Sequence, residues 1–65
     1  MNINDKVKII GGNNESEQPT MIDKIGIIKS FGTEYLVKGK KTKEVYVEFK
    51  HFGLHVFNDY HCKLI

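Results

Sequence analysis

Three histidines and one cysteine are the residues of this 65-residue chain best suited to metal binding or nucleophilic chemistry. They lie near the end of the sequence, at His51, His55, His61 and Cys62. Imidazole and thiolate are the usual zinc ligands, but their spacing here contains no Cys-x₂-Cys or other compact ligand pair. Because His51 and His55 flank a predicted turn, the pattern predicts histidines on the surface or paired across a hairpin, and no metal site.

The sequence does not assemble a catalytic group either. Neighbouring residues on a strand point to opposite faces, so His61 is not expected to activate Cys62 as a nucleophile. The chain has no glycine-rich phosphate loop leading into a helix, no serine elbow and no paired carboxylates, and the Gly-Gly-Asn-Asn run at 11–14 is typical of a turn. We therefore predict that the chain is not an enzyme and has no catalytic residue, metal or cofactor.

Lysine supplies all the basic side chains, and the net charge is +2. Four lysines lie in the segment 38–43, and Lys24, Lys29 and Lys50 could extend them into a positive face that contacts phosphates. Alternatively, these lysines keep the protein soluble and protect strand edges. The second interpretation is favoured because arginine, the preferred partner of phosphate and guanine, is absent, and because nearby glutamates dilute the positive field.

Aromatic side chains beside the lysines are the other candidates for ligand contact. Tyr35, Tyr46, Phe52 and Phe57 could stack on bases or grip a peptide. In a curved sheet, one or two of them are instead expected to belong to the core. The candidate binding residues are Lys38, Lys40, Lys41, Lys43, Lys50, Tyr35, Tyr46 and Phe52.

Alternation of apolar and polar residues predicts a chain of short strands. Strands are expected at 5–10, 24–31, 44–50, 54–57 and 63–65, and 34–37 either continues the second strand or forms a short one of its own. Ile25 and Ile27 are expected to share one face, with Phe31 left open as a third member, and Gly26 is expected to mark a bulge or a close backbone approach. The predicted connections are a polar surface loop at 11–23, a hairpin tip at 39–43, a turn at 51–53 and a tight helical turn at 58–61.

Composition supports an all-β chain of one domain, residues 1–65. Isoleucine, valine and threonine are abundant and alanine and tryptophan are absent, a bias that favours pleated surfaces. A single cysteine excludes an internal disulfide, which fits a reducing compartment. No signal-peptide core or membrane-spanning run is present, so we expect a cytoplasmic protein without a membrane partner.

Two segments resemble known small barrels. The run DKVKIIGG, a loop and then DKIGIIKSF resemble the KOW motif, with Gly26 at its hallmark glycine. The ending, VYVEF followed by HFGLHVFNDYHCKLI, looks like the last two strands of a Src-homology-3-like barrel. The resemblance implies a small, strongly bent, five-stranded antiparallel barrel with one short helical turn before the last strand. It also implies binding of RNA or protein through loops at one end.

Two functions follow as expectations. The leading one is a non-enzymatic module that engages a protein partner through one rim, formed by the 11–23 loop, the 38–43 tip and the 51–53 turn. The alternative is binding of an RNA or DNA backbone through the lysine-rich face. The oligomeric state is left open, since an exposed sheet edge could also pair two copies.

Overall fold

The computed structural model describes residues 1–11 and 21–65, and the strands among them form one antiparallel sheet. The elements are β1 (Lys6–Ile9), β2 (Ile25–Val37), β3 (Lys40–Phe49), β4 (Gly53–Asn58), a 3₁₀ turn (Asp59–His61) and β5 (Cys62–Leu64). Their order across the sheet is β4-β3-β2-β1-β5. The predicted all-β fold, with five antiparallel strands and one short helical turn before the last, is confirmed. Within the described residues no pairing joins β4 to β5, so closure into a barrel stays a prediction.

Strand β2 is the long element that links the two halves of the sheet. It pairs with β1 near its start and with β3 along most of its length, and residues 34–37 continue it rather than forming a separate strand. An extra residue, Lys29, interrupts the register between Ile28 and Ser30. This bulge reverses the alternation, so Phe31 packs against the core whereas Ile25 and Ile27 face the other way. Ile25 and Ile27 therefore share a face, as predicted, and Phe31, which the prediction left open, is not on that face.

A second register shift in β2 lies between Phe31 and Glu34. The Thr33 amide donates a hydrogen bond of 3.2 Å to a carboxylate oxygen of Glu44 on the neighbouring strand. A methyl group on Gly32 would lie 2.5 Å from that same oxygen. Glycine at this position therefore leaves room for the Glu44 carboxylate, which accepts the hydrogen bond from the Thr33 amide.

The β2–β3 hairpin turns more tightly than predicted. Its tip is Lys38-Gly39 alone, with φ values of 50° and 80°, as expected for a two-residue turn that matches the twist of its strands. Residues 40–43, predicted to belong to the tip, are the first residues of β3 and pair with the end of β2. The sequence missed this because four polar residues in a row hide the strand pattern.

Burial divides the sheet into an inner and an outer face. The core is formed by the inner-face side chains together with Met21, which precedes β2: Val7, Ile9, Met21, Ile28, Val45, Val47, Phe49, Phe57 and Cys62. Phe57, proposed as a contact residue, is thus a core residue. The predicted 11–23 surface loop lies partly outside the described residues, and its buried Met21 departs from that prediction.

Gly26 lies where β2 approaches the end of β3 most closely. A Cβ atom there would lie 2.5 Å from the Val47 side chain, 2.8 Å from the Glu48 carbonyl oxygen and 2.9 Å from the ring of Phe49. No side chain fits in that space without moving backbone atoms. The predicted close backbone approach at Gly26 is therefore confirmed.

Candidate binding surfaces

The predicted binding residues do not form one site. Lys40 is the first residue of β3, and Lys50 directly follows its last residue. The two lysines are therefore about 30 Å apart at the usual rise per residue. The 38–43 segment and the 51–53 turn therefore lie at opposite ends of β3, and the expected single rim containing both is wrong. The structure instead offers a hairpin end, a basic face and an open strand edge.

The hairpin end, residues 34–43 together with the 3₁₀ turn, holds most of the predicted lysines. The Lys41 ammonium group lies 3.8 Å from a Glu34 carboxylate oxygen. Lys43 places its Nζ 4.2 Å from the centre of the Phe31 ring, a cation–π contact. Lys38 and Lys40 are exposed. Half of this predicted lysine cluster is therefore engaged within the chain.

A pocket of about 420 Å³ opens at the hairpin end. The buried Thr42 hydroxyl donates a 2.5 Å hydrogen bond to the Asp59 carboxylate, which ties the 3₁₀ turn to β3. Partial desolvation raises the pKa of Tyr35, and the Tyr60 hydroxyl and the carboxylates of Glu44 and Asp59 raise it further. The lysines of this end therefore share their surroundings with acidic groups. The pocket is lined by Val37, Lys38, Lys40, Lys41, Thr42, Asp59 and Tyr60.

The other end of β3 brings together residues that are distant in sequence. Phe52, about half exposed, lies beneath the ammonium group of Lys24, whose Nζ is 4.6 Å from the ring centre. Lys50 and Lys6 border a depression of about 450 Å³ on the outer face. The floor and walls of this depression also include Ile25, Gly26, Ile27, Glu48 and Phe49.

The outer face of β1 and β5 carries three lysines that sequence reasoning did not select. Lys8 lies directly opposite Lys63 in the β1–β5 pairing, and Lys6 lies two residues before Lys8, on the same face. The basic face is defined as Lys6, Lys8, Lys50 and Lys63 with Ile25 and Ile27. These residues come from β1, β2 and β5 and from the position after β3. They therefore do not form one local cluster in the sequence.

The open edge of β4 is the third candidate surface. Strand β4 pairs only with β3 among the described residues. On its outer face Leu54 and Val56 are 55% and 50% exposed. Tyr46, half-buried, lies directly opposite Val56 on β3, so this predicted contact residue belongs to the β4 edge surface.

The histidines and the cysteine are dispersed. The His55 ring nitrogen Nε2 is hydrogen-bonded to the Phe52 carbonyl oxygen at 2.8 Å, and His61 packs against Gly11. The Cys62 thiol donates to the Asn58 carbonyl oxygen at 3.7 Å. Burial, and then the Asp59 carboxylate, raise the pKa of Cys62 to about 11, so the thiol is protonated at neutral pH. In residues 1–11 and 21–65 no three His, Cys, Asp or Glu side chains are grouped to hold a metal ion.

Comparisons with protein-family models, with curated proteins and with solved structures found no match to this chain. In the part of the chain that the structure describes, no helix is long and apolar enough to cross a membrane.

Proposed function

We propose that this chain is a non-enzymatic binding module whose partner is a protein that adds an extended segment to the open edge of β4. The observation that carries the proposal is the composition of this edge. Its six residues, GLHVFN, include no lysine, aspartate, glutamate or proline. These are the residues that normally protect an exposed edge against pairing with another chain.

The strand at the opposite edge of the sheet, β5, is shorter and carries a lysine. Strand β5 is three residues long and contains Lys63, and both features discourage the addition of another strand. Among the described strands, β4 therefore offers the longer and less protected row of backbone donors and acceptors. This asymmetry is what a sheet needs if it pairs with a partner at one edge only.

Leu54 and Val56 would supply the side-chain part of the interaction. In strand addition, backbone hydrogen bonds provide much of the affinity, and alternate side chains provide specificity. Leu54, Val56 and the neighbouring Tyr46 lie on one face of the sheet. A partner strand beside β4 would extend the sheet and place its own alternate side chains next to Leu54 and Val56.

A display library of random peptides tests this proposal without a known partner. We expect selected peptides to shift the backbone amide resonances of residues 53–58 and to slow hydrogen exchange at the β4 amides that do not already bond to β3. The reason is that a paired strand provides acceptors for amides that otherwise face solvent. Selected peptides that perturb only residues outside β4 and its β3 neighbours would contradict the proposal.

A matched pair of variants controls for nonspecific effects. Val56 and Leu64 are equally exposed, at 50% each, on opposite edges of the sheet. Val56→Lys places a charge on the proposed edge and should weaken peptide binding at least about tenfold, whereas Leu64→Lys should leave it unchanged. Equal losses in the two variants would argue against β4 as the binding edge.

A further inference from the structure

The like-charged pair on the basic face indicates the chemistry of a ligand. Lys8 and Lys63 lie directly opposite each other, and like charges in that position destabilise a sheet. Lys8 has an ion pair with Asp23 at 3.7 Å, but that carboxylate is 77% exposed. Within the described residues Lys63 has no carboxylate within ion-pair distance. A bound anionic group would relieve this repulsion.

Lys6 and Lys50 add further positive charge to the basic face, and few free carboxylates among the described residues lie near them to balance it. Across residues 1–11 and 21–65, neither Lys6 nor Lys50 forms an ion pair, although both border the outer-face depression. The acid that lines this depression, Glu48, is already 3.5 Å from the Lys29 ammonium group. The surface therefore presents several cations to an incoming ligand and retains few free carboxylates of its own.

Aliphatic side chains between the lysines favour a protein ligand over a nucleic acid. Ile25 is 55% exposed and pairs across the sheet with Lys8, while Ile27 pairs with Lys6. Branched aliphatic groups pack against apolar side chains but do not provide the flat aromatic platform on which bases stack. Phe52, an exposed aromatic residue at this end, already has the Lys24 ammonium group over its ring.

The basic face is continuous with the proposed edge. One row across the outer face runs through Leu54, Glu48, Ile27 and Lys6, on four neighbouring strands. Three interstrand spacings amount to about 14 Å, which an extended chain covers with about four or five residues. A segment that leaves the β4 edge therefore reaches the basic face directly.

From these observations we infer that the protein partner contacts the basic face through a segment rich in glutamate or aspartate with aliphatic residues among them. This inference rests on the proposed function and adds the chemical character of the partner. Carboxylates would lie between Lys8 and Lys63 and beside Lys6, and aliphatic side chains would pack on Ile25 and Ile27. Complementary charge of this kind steers association and selects partners.

Synthetic peptides test the inference directly. The probe is acetyl-Glu-Val-Glu-Leu-Glu-Val-Glu-amide, compared with a peptide in which glutamine replaces every glutamate and one in which serine replaces every aliphatic residue. We expect the first peptide to shift the amide resonances of Lys6, Lys8, Ile25 and Lys63, with binding that weakens as salt is added. The two altered peptides should each bind at least about tenfold more weakly, since one lacks the charge and the other the apolar contacts.

Variants with reversed charge locate the site. Lys63→Glu should weaken binding of the acidic peptide about tenfold, whereas Lys40→Glu at the hairpin end, the matched control, should not. Equal effects of the two variants would overturn the inference, because they would indicate attraction to net charge alone. A thymidine oligonucleotide is the final arm, and if it perturbs the basic face while the acidic peptide does not, the inference is wrong and a nucleic acid is the ligand.

Failure of this inference can be distinguished from failure of the proposed function. Display-selected peptides that bind β4 without any preference for acidic residues would overturn the inference and leave the protein-binding proposal standing. If the acidic peptide binds the basic face and no peptide perturbs β4, the proposal that a partner strand pairs with β4 is wrong and the inference about the basic face stands. In that case the partner would be recognised by the basic face alone.

Discussion

The hairpin end and the basic face both carry several lysines, but these lysines have different neighbours in the two regions. At the hairpin end Lys41 is paired with Glu34 and Lys43 covers Phe31, and the acidic Asp59 lines the same pocket. On the basic face two lysines oppose each other across β1 and β5. A run of lysines in sequence therefore does not identify every lysine-rich surface, because strand pairing decides which charges meet.

The two regions also differ in how tightly the backbone is packed. Gly26, below the basic face, has no room for a side chain, whereas a methyl group on Gly39 at the hairpin tip would have no neighbouring atom within 4 Å. A surface built on a closely packed support is held more rigidly than one on a projecting hairpin. Substitutions in the two regions should therefore differ in their effects on stability, most strongly at these two glycines.

Gly26→Ala should destabilise the protein by about 3 kcal/mol, because the added methyl overlaps backbone and core atoms. Gly39→Ala should cost only about 1 kcal/mol, since its strain comes from a φ of 80° and not from a clash. Urea unfolding of both variants measures the difference. Equal costs would mean that the support of the basic face is no tighter than the hairpin tip.

Thr42→Val should cost about 1.5 kcal/mol, since it removes the buried hydroxyl that donates to Asp59 and so detaches the 3₁₀ turn from β3. Thermal unfolding measures this loss. Thr33→Val is the matched control, because the Thr33 side chain is exposed and its hydrogen bond to Glu44 comes from the backbone amide. If the control loses as much stability, the Thr42 hydrogen bond is not what fastens the hairpin end.

Alkaline pH should destabilise the region where β5 joins the core. The pKa of Cys62 is about 11 in the folded chain, above the ordinary value of 9.0, so between these values the unfolded state releases its thiol proton while the folded state retains it. Stability is therefore lost as pH rises above 9, by about 1 kcal/mol at pH 10. Cys62→Val should lack this component when urea unfolding is compared at pH 8 and pH 10. An identical pH dependence in the variant would contradict the assignment to Cys62.

Lys63→Glu should increase stability by about 0.5 kcal/mol, because it replaces a repulsive pair with Lys8 by an attractive one. Lys41→Glu should have the opposite sign, since it breaks the ion pair with Glu34 and opposes two acids. Thermal unfolding at low salt measures both. A loss of stability in Lys63→Glu would show that Lys8 and Lys63 do not repel each other.

Much of the fold was accessible from the sequence because alternation of apolar and polar residues sets which side of a strand is buried. In β3, for example, Val45, Val47 and Phe49 alternate with Tyr46 and Glu48 in the sequence, and all three belong to the core. The same rule failed in β2, where the extra residue Lys29 reverses the alternation before Phe31. A bulge is stabilised by contacts with its partner strand, so its position cannot be predicted from the local alternation of apolar and polar residues.

The candidate binding surfaces were harder to predict from the sequence than the fold was. Phe52 and Tyr46 were selected as contact residues from their type and position, and both are at least partly exposed. Lys8 and Lys63 were not selected, since each lies in a short strand outside the lysine-rich 38–43 segment, and the two are 55 residues apart in sequence. Only the pairing of β1 with β5 places them opposite each other.

The sequence by itself determined an all-β chain, most of its strands and the helical turn before the last one, because these depend on local periodicity and turn chemistry. The tertiary structure decided which lysines meet, which edge is open and that the hairpin tip and the 51–53 turn lie apart. Those properties depend on strand order and register, which arise from contacts between residues far apart in the chain. Charge and edge exposure are therefore properties of the assembled sheet.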